Sequence, residues 1–91
     1  MKRALRNLDL NLLLVFDVLW AERSVSATAR RISRTQSAVS LALERLRQVF
    51  GDPLFTRSAH GVEPTARALA LHPHVLAVMS ELTRLLGAGQ G

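Results

Sequence analysis

Gln36, Ser37, Ser40 and Leu41 fall within six consecutive residues, with Arg34 just ahead of them and Arg57 beyond. An amide, two hydroxyls and an aliphatic side chain on one helical face match what duplex DNA displays in its major groove. Gln pairs with adenine N6 and N7, a hydroxyl bonds to base edges or phosphate, and an apolar side chain meets the thymine methyl. The alternative for Gln36 is an exposed helix-start residue, against which its neighbours favour base readout; for Ser37 and Ser40 the alternative is simple solvation. Ser26, Thr28 and Thr35 sit near helix starts, where a hydroxyl caps the helix, donates to phosphate, or does both. Arg34 and Arg57 lie in turn-like segments from which a guanidinium reaches phosphate or a minor groove. Arg30 and Arg31 are consecutive and point in different directions. Arg45 and Arg47 are expected in solvent or in intrahelical pairs.

Other chemistries find little support. The three histidines are His60, His72 and His74; His72-Pro73-His74 lacks the i, i+4 spacing of a helical ligand pair. No Ser/His/Asp set comes with supporting motifs, and no Gly-rich loop follows a strand to cradle phosphate. The chain has no cysteine, so disulfides, thiolate metal sites and a Cys nucleophile are excluded. Neither an enzyme nor a bound cofactor is expected. With one Trp and three Phe, there is no aromatic platform for single strands. The 91 residues have room for one small domain, 48% hydrophobic, with a net charge of +5. Residues 23–67 carry that charge, with eight Arg against Glu44, Asp52 and Glu63. A localised basic segment is either a nucleic-acid footprint or a solvated face. No apolar run is long enough to span a bilayer, no secretory signal is recognisable, and the expected location is the cytoplasm.

Four helical segments must position these groups. Leu8, Leu12, Val15, Phe16 and Leu19 form one face of a first helix. Leu10, Leu13, Leu14 and Val18 form a second, more apolar surface than a lone helix needs. Ser24 or Ser26 caps a short second helix through Ala27, Ala29 and Ile32. Ser33-Arg34-Thr35 makes a tight connection to a third helix, about 36–50, with Val39, Ala42, Leu43, Leu46, Val49 and Phe50 on its core side. Gly51 supplies a left-handed cap and Pro53 stops the helix. Leu54 to Arg57, a turn over Ser58 to Gly61, and Val62-Glu63 ending at Pro64 suggest a two-stranded hairpin. A fourth helix starts near Thr65, and Pro73 should kink it or mark its true start. Leu71, Val75, Val78 and Leu82 recur along it at 4-3-4 spacing. The fold expected is mainly α: a winged helix-turn-helix with a small two-stranded wing and a long C-terminal linker or dimerisation helix. Its divisions are a DNA-binding unit at 1–64, the linker helix at 65–86 and a flexible tail at 87–91.

The run Ser24-Val25-Ser26-Ala27-Thr28-Ala29-Arg30-Arg31-Ile32-Ser33-Arg34-Thr35-Gln36-Ser37-Ala38-Val39-Ser40 resembles the DNA-binding domain of LysR-type transcriptional regulators. Leu8-Asp9-Leu10-Asn11-Leu12-Leu13 and Phe50-Gly51-Asp52-Pro53-Leu54-Phe55-Thr56-Arg57 resemble its nodulation and aromatic-degradation branch, and Gly61 with Pro64-Thr65 matches the end of the family's wing. The likeness covers roughly residues 7–80. It implies a bacterial domain that dimerises through its first and last helices (Leu13, Leu14 and Val18 with Leu71, Val75, Val78 and Leu82). Such domains bind a partly palindromic promoter site in double-stranded DNA, normally within a tetramer. A small-molecule effector would act only through a two-lobed domain that these residues do not include.

Four departures bear on the DNA site. Ser37 replaces the family's usual Pro, Leu41 its usual Arg, and His60 a frequent basic residue at the wing tip; Glu44 stands where a basic or neutral residue is common. The competing reading is a stand-alone winged helix that pairs with a full-length regulator rather than with DNA.

Overall fold

A computed structural model describes Arg6 and residues 8–88. Its elements are α1 (Leu10–Glu22), α2 (Val25–Arg31), α3 (Gln36–Phe50), β1 (Phe55–Ser58), β2 (Gly61–Pro64) and α4 (Ala66–Ala88). Local chemistry starts and stops each of the first three helices. Asp9, Ser24 and Thr35 are the N-caps, accepting from the backbone N–H of Asn11, Ala27 and Ala38 at 2.8, 3.1 and 3.0 Å. Each satisfies a donor that the first turn leaves without an intrahelical partner. Left-handed residues end α1 at Arg23 (φ 57) and α3 at Gly51 (φ 64).

α1 is the central element. It packs on α2, α3 and α4, and this explains why its sequence is apolar nearly all round. Leu12, Leu13, Val15, Phe16, Val18 and Leu19 are all buried within the chain itself. Phe16 and Leu19 expose nothing, and neither do Leu46 of α3, Leu54, or Phe55 of β1. Full burial of one such side chain contributes about 1.5–3 kcal/mol. The expectation that Leu13 and Val18 form a dimer face is corrected to this extent: both are buried within the chain, while Leu10 on the same face is exposed and Leu14 half-buried. Val75 of α4 is likewise buried, 5% exposed, in the same core.

The wing is an antiparallel hairpin in the register Phe55↔Pro64, Thr56↔Glu63, Arg57↔Val62 and Ser58↔Gly61. Two strands alone are marginal, and three anchors hold this pair. Phe55 plugs into the core edge-on to Phe16, ring centroids 5.4 Å apart. Val62 N–H donates to the Arg23 carbonyl at 3.0 Å. Asp52 Oδ2 accepts from Leu54 N–H at 2.8 Å and from the Thr65 hydroxyl at 2.7 Å, while Thr65 N–H donates to Leu54 O at 2.8 Å. These bonds close the base of the wing and hold buried Leu54 at φ 63, a conformation costly for a branched side chain.

The Asp52 carboxyl is held below its ordinary value of 3.8, chiefly by the Thr65 hydroxyl, then by Leu54 N–H, with a smaller contribution from the Arg67 charge. A carboxylate whose folded value is depressed stabilises the fold above its unfolded value, and that contribution is lost as pH falls through the folded one. Asp52→Asn is thus expected to melt below wild type at neutral pH and to converge on it as the medium is acidified below 3.8. Circular dichroism melts across that range check this; a constant gap at every pH would contradict it.

α4 starts at Ala66 and remains helical through Pro73. It extends to Ala88, so the expected end at 86 is corrected by two residues: Gly87 and Ala88 are helical, and 89–91 lie outside the described residues. At 23 residues it is about 34 Å long. Ala68, Leu71, Val75 and Met79 pack on the body, and the last turns carry exposed Leu85 and Leu86.

Candidate nucleic-acid interface

Each residue of a helix advances about 100° around its axis, so burial fixes the orientation of α3. Val39, Leu43 and Leu46 are buried, while Ser37, Leu41, Glu44 and Gln48 are exposed and point most directly away from the core. Gln36 and Ser40, also exposed, lie on the flank toward the wing; Ala38 and Arg45 lie on the flank toward α1. The residues expected to read bases (Gln36, Ser37, Ser40, Leu41) thus stand on one uncovered surface.

The turn into α3 is tight. Ser33 adopts a left-handed φ of 56, and Arg34 N–H donates back to Ala29 O at 2.8 Å. This leaves the Arg34 side chain exposed beside α3, lining a shallow cleft with Asn11, Leu41 and Arg45. On the opposite flank, Ser26, Gln36, Arg57 and Gly61 line a second open cleft between α2, α3 and the wing. Arg34 and Arg57 therefore sit on either side of the α3 surface. Among the described residues neither makes an ion pair, whereas Arg31 pairs with Glu22 at 3.0 Å and Arg47 with Glu44 at 3.5 Å. His60 is exposed in the turn between the two strands.

The hydroxyls divide differently from expectation. Thr35 is exposed and its Oγ1 accepts the cap bond, so its proton remains free for an acceptor outside. Ser26 is half-buried, its Oγ 3.1 Å from that of Ser24, and it is Ser24, accepting from Ala27 N–H, that caps α2. Thr28 is corrected outright. It is fully buried, and among the described residues its Oγ1 has no hydrogen-bond partner, so its hydroxyl is not presented to phosphate. A short polar residue on a seven-residue helix looked accessible because the sequence does not show which side of α2 meets α1 and α3.

Two positioning groups were not foreseen. Arg47 donates from Nε to Pro53 O at 2.8 Å and from Nη2 to Phe55 O at 2.9 Å, tying the end of α3 to the entry of the wing. Its pairing with Glu44, three residues away, was legible; the carbonyls were not. The second is a stack joining α1 to α4. The Trp20 and His72 rings lie 3.7 Å apart at 9°, and the Arg23 guanidinium sits 4.9 Å from the Trp20 centroid. Arg23 is also the residue whose carbonyl receives Val62 of the wing. Among the described residues no cluster of three or more His, Asp or Glu is placed to hold a metal, and no helix is long and apolar enough to cross a membrane.

A helix pair joined by a tight turn, its second member uncovered and followed by a hairpin, defines a winged helix-turn-helix DNA-binding domain. The family described as bacterial regulatory helix-turn-helix protein, lysR family, matches residues 10–69, and the chain belongs to it. It is 50% identical over 82 residues to the transcriptional activator NahR of Pseudomonas putida, covering 90% of this chain and 27% of that protein. It is 51% identical over 70 residues to nodulation protein D 2 of Sinorhizobium fredii, covering 77% of this chain and 22% of that one. The chain thus spans about a quarter of the length of these relatives. A probable transcriptional regulator from Pseudomonas aeruginosa superposes with a TM-score of 0.81 at 46% identity, over 96% of this chain and 28% of that one. The BenM DNA-binding domain, solved with catB site 1 DNA, superposes at 0.84 with 18% identity, over 91% of this chain and 93% of that one, a likeness of fold.

Proposed function

We propose that this chain binds double-stranded DNA sequence-specifically, as a two-fold dimer, and serves transcriptional regulation in the bacterial cytoplasm. α3 enters the major groove, where Gln36, Ser37, Ser40 and Leu41 face base edges. Thr35 and Ser26 donate to phosphate, and Arg34 and Arg57 take the backbones on either side, Arg57 with His60 from the wing beside the minor groove. The observation that carries this reading is the uncovered face of α3 between two arginines that make no ion pair among the described residues. The DNA-bound BenM domain, similar in fold, lends it support.

Dimerisation rests on the flanks of α4. Leu69 and Leu76 lie exposed on one side of its buried stripe, Val78 and Leu85 on the other, with exposed Leu86 near its end. Val78, the half-buried Leu82 and Leu71, and Leu14 of α1 remain the dimer residues proposed from the sequence; Leu13, Val18 and Val75 do not. The same apolar flanks would serve the alternative, pairing with a full-length regulator. Gel filtration with light scattering separates the two: a homodimer that binds duplex supports the first, a monomer indifferent to duplex the second. No small-molecule effector is assigned to the residues of this chain.

Arg57→Ala tests the DNA reading. Removing one phosphate contact is expected to weaken binding to all duplexes alike and to flatten the log K against log salt slope by about one unit. Fluorescence anisotropy over a salt series measures both. An unchanged slope, or a loss confined to one sequence, would contradict the role given to the wing.

A further inference from the structure

The row of α3 that faces most directly away from the core runs Ser37, Leu41, Glu44, Gln48, at i, i+4, i+7 and i+11. Three of its members are polar. Leu41 is not, and it is 54% exposed, with exposed Arg34 and Arg45 along one side. A leucine in this position has no hydrogen bond to give. Pressed against a donor or acceptor edge it would strip water from a polar group without replacing the lost bond, which is unfavourable. The major-groove edge of DNA offers one apolar group, the methyl on C5 of thymine, shared chemically by 5-methylcytosine. Against that group, burial is favourable for both partners.

We infer that Leu41 recognises the C5-methyl group of a pyrimidine in each half-site, so that the operator is selected partly by a methyl rather than by hydrogen bonds alone. This rests on the DNA reading above and adds to it the chemical group that one residue reads. Glu44, one turn further along the same row, has its carboxylate 3.5 Å from Arg47, which lowers its repulsion of nearby phosphate and leaves Leu41 the apolar member of a row otherwise able to bond to polar edges.

The experiment uses the 91-residue chain and the duplex it selects from a random library. Each thymine of one half-site is replaced in turn by deoxyuridine, which deletes the methyl and leaves every hydrogen-bonding atom. One position is expected to lose about fourfold in affinity, the value of one buried methyl. In Leu41→Ala that penalty should vanish; in Leu41→Met, which keeps an apolar tip, it should persist. At the same position 5-methylcytosine is compared with cytosine. A gain from methylation means that the methyl is read on either base, and no gain confines the reading to thymine. Full affinity for every deoxyuridine duplex, or a penalty undiminished in Leu41→Ala, overturns the methyl reading while leaving sequence-specific binding intact. A chain that selects no duplex at all overturns both.

Discussion

Gly61→Ala is expected to destabilise the domain by about 3 kcal/mol and to remove the wing from the DNA. Gly61 sits at φ +136, a conformation L side chains rarely adopt, and a Cβ there would lie 2.2 Å from the Arg23 carbonyl oxygen. Backbone strain of this kind costs of order 1–3 kcal/mol. Relieving the clash must move backbone against backbone, because the obstructing atom is no flexible side chain. The movement also breaks the Val62 N–H to Arg23 O bond, worth about 1 kcal/mol. For a domain of this size the sum corresponds to a fall in Tm of roughly 12–24 °C. Gly51→Ala supplies the contrast. Gly51 is also left-handed, at φ +64, but a Cβ there would meet nothing within 4 Å, so only the cap preference of about 1 kcal/mol is lost. Thermal melts of the two variants side by side check the ranking; equal losses would mean that the close approach of wing and α1 does not occur.

The second large effect falls on recognition rather than stability. Gln36→Ala is expected to lower affinity for the selected site by about 10- to 100-fold per half-site, since a bidentate side chain–base pair is worth roughly 1–3 kcal/mol of discrimination. Binding to random duplex should hardly change, because that affinity comes from phosphate neutralisation. Gln36 is exposed and begins α3 immediately after its cap, so truncation leaves the helix start intact and the fold unaffected. This behaviour is the reverse of that expected for Arg57→Ala. Competition titrations against specific and random duplex separate the two; equal losses on both for Gln36→Ala would remove it from the base-reading set.

The contrast between these residues reflects what a one-dimensional pattern can carry. Helix starts and stops are local chemistry, and the caps at Thr35 and Gly51 and the core side of α3 were legible because 3.6-residue periodicity and turn residues determine them directly. The order of helices and hairpin followed, and with it the placing of Gln36, Ser37, Ser40 and Leu41 on an open face. What escaped depends on which surfaces meet in three dimensions. Thr28 was misplaced because seven residues of α2 do not reveal which side faces α1. Leu13, Val18 and Val75 were given to a partner because nothing in the sequence shows α1 enclosed by three helices, or α4 turning Val75 into the same core. Arg47, Arg23, Trp20 and His72 act through backbone carbonyls and ring stacking, neither of which has a spacing to detect. Pro73 was expected to kink the fourth helix or mark its true start, yet α4 starts at Ala66 and remains helical through it.

The central claim is that this domain reads base sequence as a symmetric pair, and selection of tight binders from a random duplex library at near-physiological salt tests it most directly. The account predicts enrichment of an inverted repeat whose half-site spacing matches one helical turn or a multiple of it, as two recognition helices related by a two-fold axis require. Binding at low salt with no enriched sequence would contradict it, leaving only the attraction of a +5 surface for any phosphate backbone.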